Sequence, residues 1–454
     1  MKEEIERILS EAEAKLVYTE EEYKEIERRA RNIVSRIKQK IRDINVKGRP
    51  LIAGSLAKKT MIKGFGDIDI FILLKPEYAK DKLLQLVVKL GDLIFGEGNY
   101  WMRYADHPYI EAEIDGFTYS VVPAYEVKRG EWISPVDRTV YHLEYIRSKT
   151  LNNALIRRDM TLLKAFMRRI GVYGAEVYIS GFSGYLCELL VLNYGSLIKL
   201  FIDVLDWKPP VIIDVEKCYL RNRDVLRLFN QPLIVIDPID KSRNVASAVS
   251  ERSFAIFISA VKHFMEKPNI EYFNLWHPIK AREMKLPEGT HLLGIIFRHE
   301  AEIPDIIYSQ IKRIAKKIIK QLMLHGFHIL KWEIYSNCKD RSLILISTAN
   351  IEVPKVHIRA GPKTYMKTEK DFISKNKDKF IWIDEDGRWK VIDKIKVTNI
   401  VNATNNALRI ISIPEKLLIH EPLILVDNEL LKYEVIRPWI KQFMLRREFW
   451  VDLE

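Results

Sequence analysis

The chain has little cysteine and no long apolar run, and each shortage narrows what it can be. Cys187, Cys218 and Cys338 are its three cysteines, odd in number and far apart. That argues against a disulfide framework or a zinc cage and fits a reducing compartment. The longest apolar runs, such as Leu292 to Phe297, are far too short to span a bilayer. Residues 1–44 are charged and helical in pattern, unlike a signal peptide. The expectation is therefore a cytoplasmic protein with no membrane partner. Low-complexity segments and internal repeats are also missing. Acidic residues are in deficit: 73 Lys and Arg stand against 61 Asp and Glu, a net charge of +12. A basic excess of this size fits a polyanionic partner; the plain alternative is a solvated basic surface. Hydrophobic residues make up 48% and charged residues 30% of the 454, the profile of a folded chain too long for one core. About two to four domains are expected.

Periodicity divides the chain. Residues 2–15 and 19–43 read as helices; in the second, Tyr23, Ile26, Ala30, Ile33 and Ile37 recur at helical spacing. Leu51 to Ala53 reads as a short strand, Asp67 to Leu74 as another, and Asp81 to Phe95 as a helix. Asn99 to Ala105 and Pro108 to Pro123 supply three more strands. The last two join at Asp115-Gly116, a two-residue hairpin signal. From Asn152 to about Asn193 the pattern is helical, with Ile156, Met160, Leu163, Phe166, Met167 and Ile170 on one face and a break at Gly181 to Gly184. Past Gly289, strands at His291–Phe297, Ile329–Tyr335 and Ser342–Thr348 alternate with a helix at 304–325, a split β-α-β pattern.

The segment Gly66-Asp67-Ile68-Asp69-Ile70-Phe71 carries the most chemistry. On a strand Asp67 and Asp69 share one face, while Ile68 and Ile70 point into a core. Two adjacent carboxylates repel unless a cation sits between them, and a hard ion such as Mg²⁺ suits oxygen donors. A solvated strand edge is the plain alternative. Twelve residues upstream of Asp67, Ser55 lies in Gly54-Ser55-Leu56-Ala57-Lys58. A glycine after a strand lets backbone approach a ligand, and the next helical turn offers free N–H groups to phosphate.

Gly-Ser, a loop of about ten residues and then Asp-x-Asp on a strand resembles the nucleotidyltransferase superfamily that includes DNA polymerase β. Further stretches are similar to the archaeal, class I, CCA-adding enzymes. They are Tyr104 to Tyr109, Val121-Val122-Pro123-Ala124-Tyr125, Val136 to Thr139, Leu162 to Met167, Gly171 to Glu176, Gly181 to Tyr185, Asp237 to Asp240 and Arg243 to Ala246. The resemblance implies an α+β multidomain fold: a polymerase β-like nucleotidyltransferase head (1–145), a helical neck (146–286), an α/β body (287–362) and a tail (363–454). It implies template-independent addition of CMP, CMP and AMP to tRNA lacking a complete 3′ CCA, from CTP and ATP with Mg²⁺. A homodimer is left open. Asp67 and Asp69 are the implied metal ligands. Gly54, Ser55, Lys58, His107, Thr139, His142, Lys164, Tyr173 and Arg243 are the implied nucleotide contacts, Arg243 reading the base edge. Read alone, His107 and His142 could be structural histidines, Tyr173 a core residue and Arg243 a partner of Asp237 or Asp240; Lys164, polar in an apolar helix, points to a buried ligand role. Lys312, Arg313, Lys316, Lys317 and Lys320 form a basic face on the helix at 304–325, suited to an RNA backbone or simply solvated.

The family commonly has arginine where Lys58 stands and glutamate where Asp106 stands, and a third departure bears on the chemistry. A third carboxylate usually precedes Val-Val-Pro; here Ser120 stands there. A serine hydroxyl is a poor metal ligand and a poor base at neutral pH, so roughly 10²- to 10⁴-fold in rate is at stake. If Asp115-Gly116 makes a two-residue turn, Glu111 falls opposite Ser120 on the same face and could stand in for the missing acid. The other readings are a catalytically weakened paralogue that keeps RNA and nucleotide binding, or an introduced serine.

Overall fold

A computed structural model describes residues 2–104, 108–278, 283–395, 397–445 and 448–453. The chain forms two compact units, Met1–Arg282 with Arg447–Glu454, and Glu283–Arg446. Among the described residues no single helix is long and apolar enough to cross a membrane.

The first unit opens with helices α1 (Lys2–Leu16) and α2 (Glu20–Asp43). Thr19 and Glu22 cap α2 reciprocally: the Thr19 hydroxyl accepts from the Glu22 N–H at 3.2 Å, and the Glu22 carboxylate accepts from the Thr19 N–H at 2.8 Å. The expected stripe of Tyr23, Ile26, Ala30, Ile33 and Ile37 is buried, with Ile41 continuing it. It packs on a five-stranded sheet made of β1 (Gly48–Ile52), β2 (Ile68–Leu74), β3 (Trp101–Tyr104), β4 (Pro108–Ile114) and β5 (Phe117–Tyr125). The order is β1-β2-β5-β4-β3, with β2 and β5 parallel and the other pairs antiparallel. A short helix α3 (Gly54–Lys58) leaves β1, and α4 (Lys80–Phe95) follows β2.

Strand alternation decides what each face of this sheet carries. Ile68, Ile70, Ile72, Leu74, Ile110, Tyr119 and Val121 join the core under α2 and α4. Asp69, Phe71, Leu73, Glu111, Ser120 and Ala124 lie on the other face. The turn between β4 and β5 sets the register: Asp115 has φ 50° and Gly116 φ 79°, the double positive φ of a tight hairpin. Ile114 therefore opposes Phe117, and Glu111 opposes Ser120.

Helices α5 (Thr139–Thr150), α6 (Ala154–Arg169) and α7 (Gly184–Tyr194), with helices Leu197–Val204 and Glu251–Glu266, close around an aromatic core. Phe166 is its centre, 4.9 Å from Phe201 and 5.3 Å from Tyr272 by ring centroid. The apolar face of α1 packs into this helical core, and so do Phe449 and Trp450 from the far end of the chain.

In the second unit, strands Leu423–Val426, His291–Arg298, Arg341–Thr348 and Ile329–Ser336 form a sheet in that order, all antiparallel neighbours. Arg341–Thr348 thus lies between two parallel strands, the split β-α-β arrangement the sequence pattern suggested; the edge strand Leu423–Val426 carried no clear signal. Helix Pro304–Leu324 buries Ile307, Ile311, Ile314, Ile318 and Leu322 against it. A separate three-stranded sheet joins Val356–Lys363, Arg388–Lys394 and Ile381–Ile383, so it draws strands from both sides of position 362.

Candidate active site

Three neighbouring strands bring Asp69, Ser120 and Glu111 into one row: Asp69 on β2 registers with Ser120 on β5, and Ser120 with Glu111 on β4. Asp67, just before β2, lies on the same side. Asp67 and Asp69 both hold protons more tightly than a free aspartate. Burial pushes the Asp69 carboxyl up to about 6, helped by the charges of Asp67 and Glu111 and opposed by Lys58 and Lys164. Burial also lifts Asp67, with Glu111 adding to it, while a hydrogen bond with Thr118 and the charge of Arg168 pull it down. Ser120 is buried between them. Glu111 is partly neutralised: the Arg103 guanidinium donates to it at 2.7 Å and the Tyr109 hydroxyl at 3.4 Å.

Gly54 lies hard against Asp69. Its φ is 61°, and a Cβ built on it would fall 1.7 Å from Asp69 Oδ2. Only glycine fits here, both for the backbone angle and for the space. The Ala53 N–H donates to the Asp69 carbonyl at 2.9 Å, so the start of α3, with Gly54 and Ser55, is tied to the acid strand.

The oxygen donors suit a hard divalent ion. Asp67, Asp69 and Glu111 repel one another, and the missing Gly54 side chain lets the Asp69 carboxylate lie directly against the start of α3. Among the described residues no three His, Cys, Asp or Glu side chains stand close enough to enclose a metal by themselves. Magnesium sites commonly use one or two carboxylates, with water and substrate phosphate completing the shell.

Further basic groups gather nearby. Lys58, at the end of α3, donates to Glu188 at 2.7 Å; Lys164 on α6 donates to the same carboxylate at 2.7 Å and to the Thr60 hydroxyl at 2.8 Å. His142 on α5 stacks on Tyr185 with ring centroids 4.0 Å apart, and its Nε2 meets Asp237 Oδ2 at 2.9 Å. Arg243 donates to the same oxygen at 2.9 Å. Burial works against the Asp237 charge, but His142, the Ile239 N–H and Arg243 hold its carboxyl down at about 2. Burial pushes His142 below its ordinary value, with Asp237 pulling the other way. Tyr173 is half-buried and its phenol pushed up by burial, so it remains a hydrogen-bond donor. Thr139 opens α5, two residues after the buried Asp137, which accepts from the Tyr125 N–H at 2.8 Å and orders that corner.

The expected residues thus fall into three groups: Gly54, Ser55, Asp67, Asp69, Ser120 and Glu111; Lys58 with Lys164; and His142 with Arg243. The charge of Lys58 acts on both Asp69 and His142, which links the groups. His107 lies outside the described residues. In the second unit, Arg313, Lys316, Lys317 and Lys320 are exposed and Lys312 is half-buried. Two residues were given no place in the site from the sequence. Asp237 was named only as an alternative partner of Arg243, a pairing that is present at 2.9 Å, and its contact with His142 was not foreseen. Glu188 had a signal, a lone acid within the apolar run Leu186 to Val191, but nothing named its partners.

Residues 16–151 match the nucleotidyltransferase domain family, 158–274 the second domain of tRNA nucleotidyltransferases, and 288–412 the C-terminal domain of CCA-adding enzymes. The CCA-adding enzyme of Pyrobaculum neutrophilum is 34% identical over 376 residues, covering 82% of this chain and 86% of that protein. That of Methanococcus maripaludis is 35% identical over 373 residues, 79% of this chain and 83% of the other. That of Methanocaldococcus jannaschii is 34% identical over 374 residues, 80% and 82% respectively.

Proposed function

The chain belongs to the CCA-adding enzymes, the tRNA nucleotidyltransferases that complete the 3′ end of tRNA, and from that premise we propose how its residues divide the work. The reaction is template-independent addition of CMP, CMP and AMP to tRNA lacking CCA, with CTP and ATP as donors and pyrophosphate as the product. The observation that carries the residue assignment is the close packing of Gly54 on Asp69, which joins a phosphate-binding turn to an acid strand. Three unpaired cysteines agree with a cytoplasmic setting.

Asp67 and Asp69 would hold the divalent ion this family uses, and their hard oxygen donors suit Mg²⁺. Such an ion, when bound, offsets phosphate charge and makes the attacking 3′ hydroxyl more acidic. The chain's own groups do the positioning. The N–H groups at the start of α3 and the Ser55 hydroxyl face the nucleotide phosphates, and Lys58 adds a compact positive charge. Lys164, His142, Tyr173 and Thr139 complete the surroundings of the triphosphate, Lys164 through its charge. Asp237 fixes the tilt of His142 and one arm of Arg243. Only one guanidinium nitrogen of Arg243 is engaged by Asp237, so the other N–H groups are left for the edge of cytosine or adenine.

Glu111 takes the place of the acid that Ser120 cannot supply. It occupies the adjacent position in the same row, its Cβ within about 5.5 Å of that of Ser120 by strand spacing. To act, its carboxylate exchanges Arg103 for the 3′ hydroxyl or the ion. A non-catalytic paralogue has no observation on its side beyond Ser120 itself. The basic face of helix Pro304–Leu324, with Lys312, Arg313, Lys316, Lys317 and Lys320, contacts RNA phosphates. Head, neck, body and tail remain the proposed functional division.

The test is extension of tRNA lacking CCA, with CTP, ATP and Mg²⁺, followed by sequencing of the new 3′ ends. CCA ends support the reading. A homopolymer, or no extension by protein that still binds tRNA, overturns it.

A further inference from the structure

Lys58, Thr60, Lys164 and Glu188 form a closed set of side chains whose arrangement the reaction alone does not require. Glu188 lies on α7 between Cys187 and Leu189, and its side chain is 0% exposed. Its Oε2 accepts from Lys58 at 2.7 Å; its Oε1 accepts from Lys164 at 2.7 Å and from the Thr60 hydroxyl at 2.8 Å. Lys164 also donates to the Thr60 hydroxyl at 2.8 Å and to the Thr60 carbonyl at 3.1 Å. An ammonium has three donors, and these three acceptors use all of them. Lys58 gives one N–H to Glu188 and keeps a side chain 11% exposed.

Burying an ion trio is not an economical way to stabilise a helix. A well-packed apolar side chain at 188 would serve α7 as well or better, so the acid is better explained by the placement it imposes. Two lysines and one carboxylate sum to +1, and without the carboxylate two ammonium groups would face each other in a space closed to water. Burial and the charge of Lys58 already weaken the hold of Lys164 on its proton, and Glu188 opposes both. The carboxyl of Glu188 is held down at about 2 because the two lysines outweigh its burial.

We propose that Glu188 is a positioning residue of the nucleotide site: it clamps Lys164 and presents Lys58, at the end of the Gly54–Ser55 turn, to the triphosphate of the incoming nucleotide. The proposal rests on the reading that Lys58 meets the phosphates. It deepens that reading by giving the lysine a fixed origin on α7, 130 residues away in sequence.

The test is a cycle of Glu188→Gln and Lys58→Met, alone and together, measured as KM for CTP and for tRNA. Glu188→Gln keeps the shape and removes the charge. It is expected to raise the CTP KM roughly 10- to 100-fold, the worth of a charge-assisted hydrogen bond, with tRNA KM within about twofold of wild type. The double variant is expected to match the worse single variant, because Lys58 is then no longer there for Glu188 to present to the phosphates. If the two effects multiply, or if Glu188→Gln raises both KM values alike, Glu188 is only structural and the proposal falls. Should Glu188→Gln not fold, Thr60→Val removes one donor to Glu188 without changing charge. A several-fold rise in CTP KM that vanishes beside Lys58→Met supports the proposal, and a rise that persists overturns it. A Lys58→Met variant with unchanged CTP KM would instead refute the phosphate role of Lys58, a separate failure.

Discussion

Replacing Gly54 by alanine tests the core of the site with a magnitude that follows from its geometry. The added Cβ would lie 1.7 Å from Asp69 Oδ2, 2.6 Å from Cγ and 2.9 Å from Cβ, at a backbone φ of 61°. Ordinary contact needs about 3.4 Å, so something must move by roughly 1.7 Å. Asp69 sits on β2 between two paired strands, and its backbone cannot shift without breaking ladder bonds. Either its carboxylate rotates away from Asp67 or α3 lifts, taking Ser55 and Lys58 with it. Both outcomes separate phosphate turn from acids by more than 1 Å, a misplacement that costs about 10²-fold in rate. The left-handed backbone adds about 1–2 kcal/mol of instability. Gly98 separates the two effects: its φ is 79° but a Cβ there meets nothing within 4 Å. Gly98→Ala should therefore cost about the same stability and leave the rate intact. The assay is single-turnover CMP addition to tRNA lacking CCA, alongside urea unfolding and tRNA binding. Gly54→Ala activity within about tenfold of wild type would refute the reasoning.

Glu111→Gln should reduce CMP addition by roughly 10²- to 10⁴-fold, and Ser120→Asp in that background should restore part of it; unchanged activity in Glu111→Gln removes Glu111 from the site. Acid stability should depend on Glu188 and Asp237, whose carboxyls lie at about 2 against ordinary values of 4.5 and 3.8. A depressed pKa means the unfolded chain binds the proton first, so their contribution is present above those ordinary values and is lost as pH falls towards 2. The urea midpoint of wild type should drop over that window and that of Glu188→Gln should drop less; equal slopes would contradict the shift. Phe166→Ala, at the centre of the aromatic core, should lower stability by about 3–5 kcal/mol in urea unfolding, and a loss below about 1 kcal/mol would show that the core closes around the gap.

Much of the head was legible because its signals are local. Alternation along β2 put Asp67 and Asp69 on one face, and a two-residue turn at Asp115-Gly116 left only one register, so Glu111 opposite Ser120 could be read from residue counting. The stripe on α2 and the apolar face of helix Pro304–Leu324 followed from helical spacing. The edge strand Leu423–Val426 was missed because it pairs with His291–Arg298, about 130 residues earlier, and has no local partner.

Residue chemistry alone therefore determined the acid pair, the glycine before it and a lysine out of place in an apolar helix. It could not determine which groups those residues face. Gly54 against Asp69, Glu188 between Lys58 and Lys164, and His142 against Asp237 are contacts made between separate elements once the core has closed. A buried charge must find its counter-charge wherever packing brings one, and sequence distance carries no record of that choice.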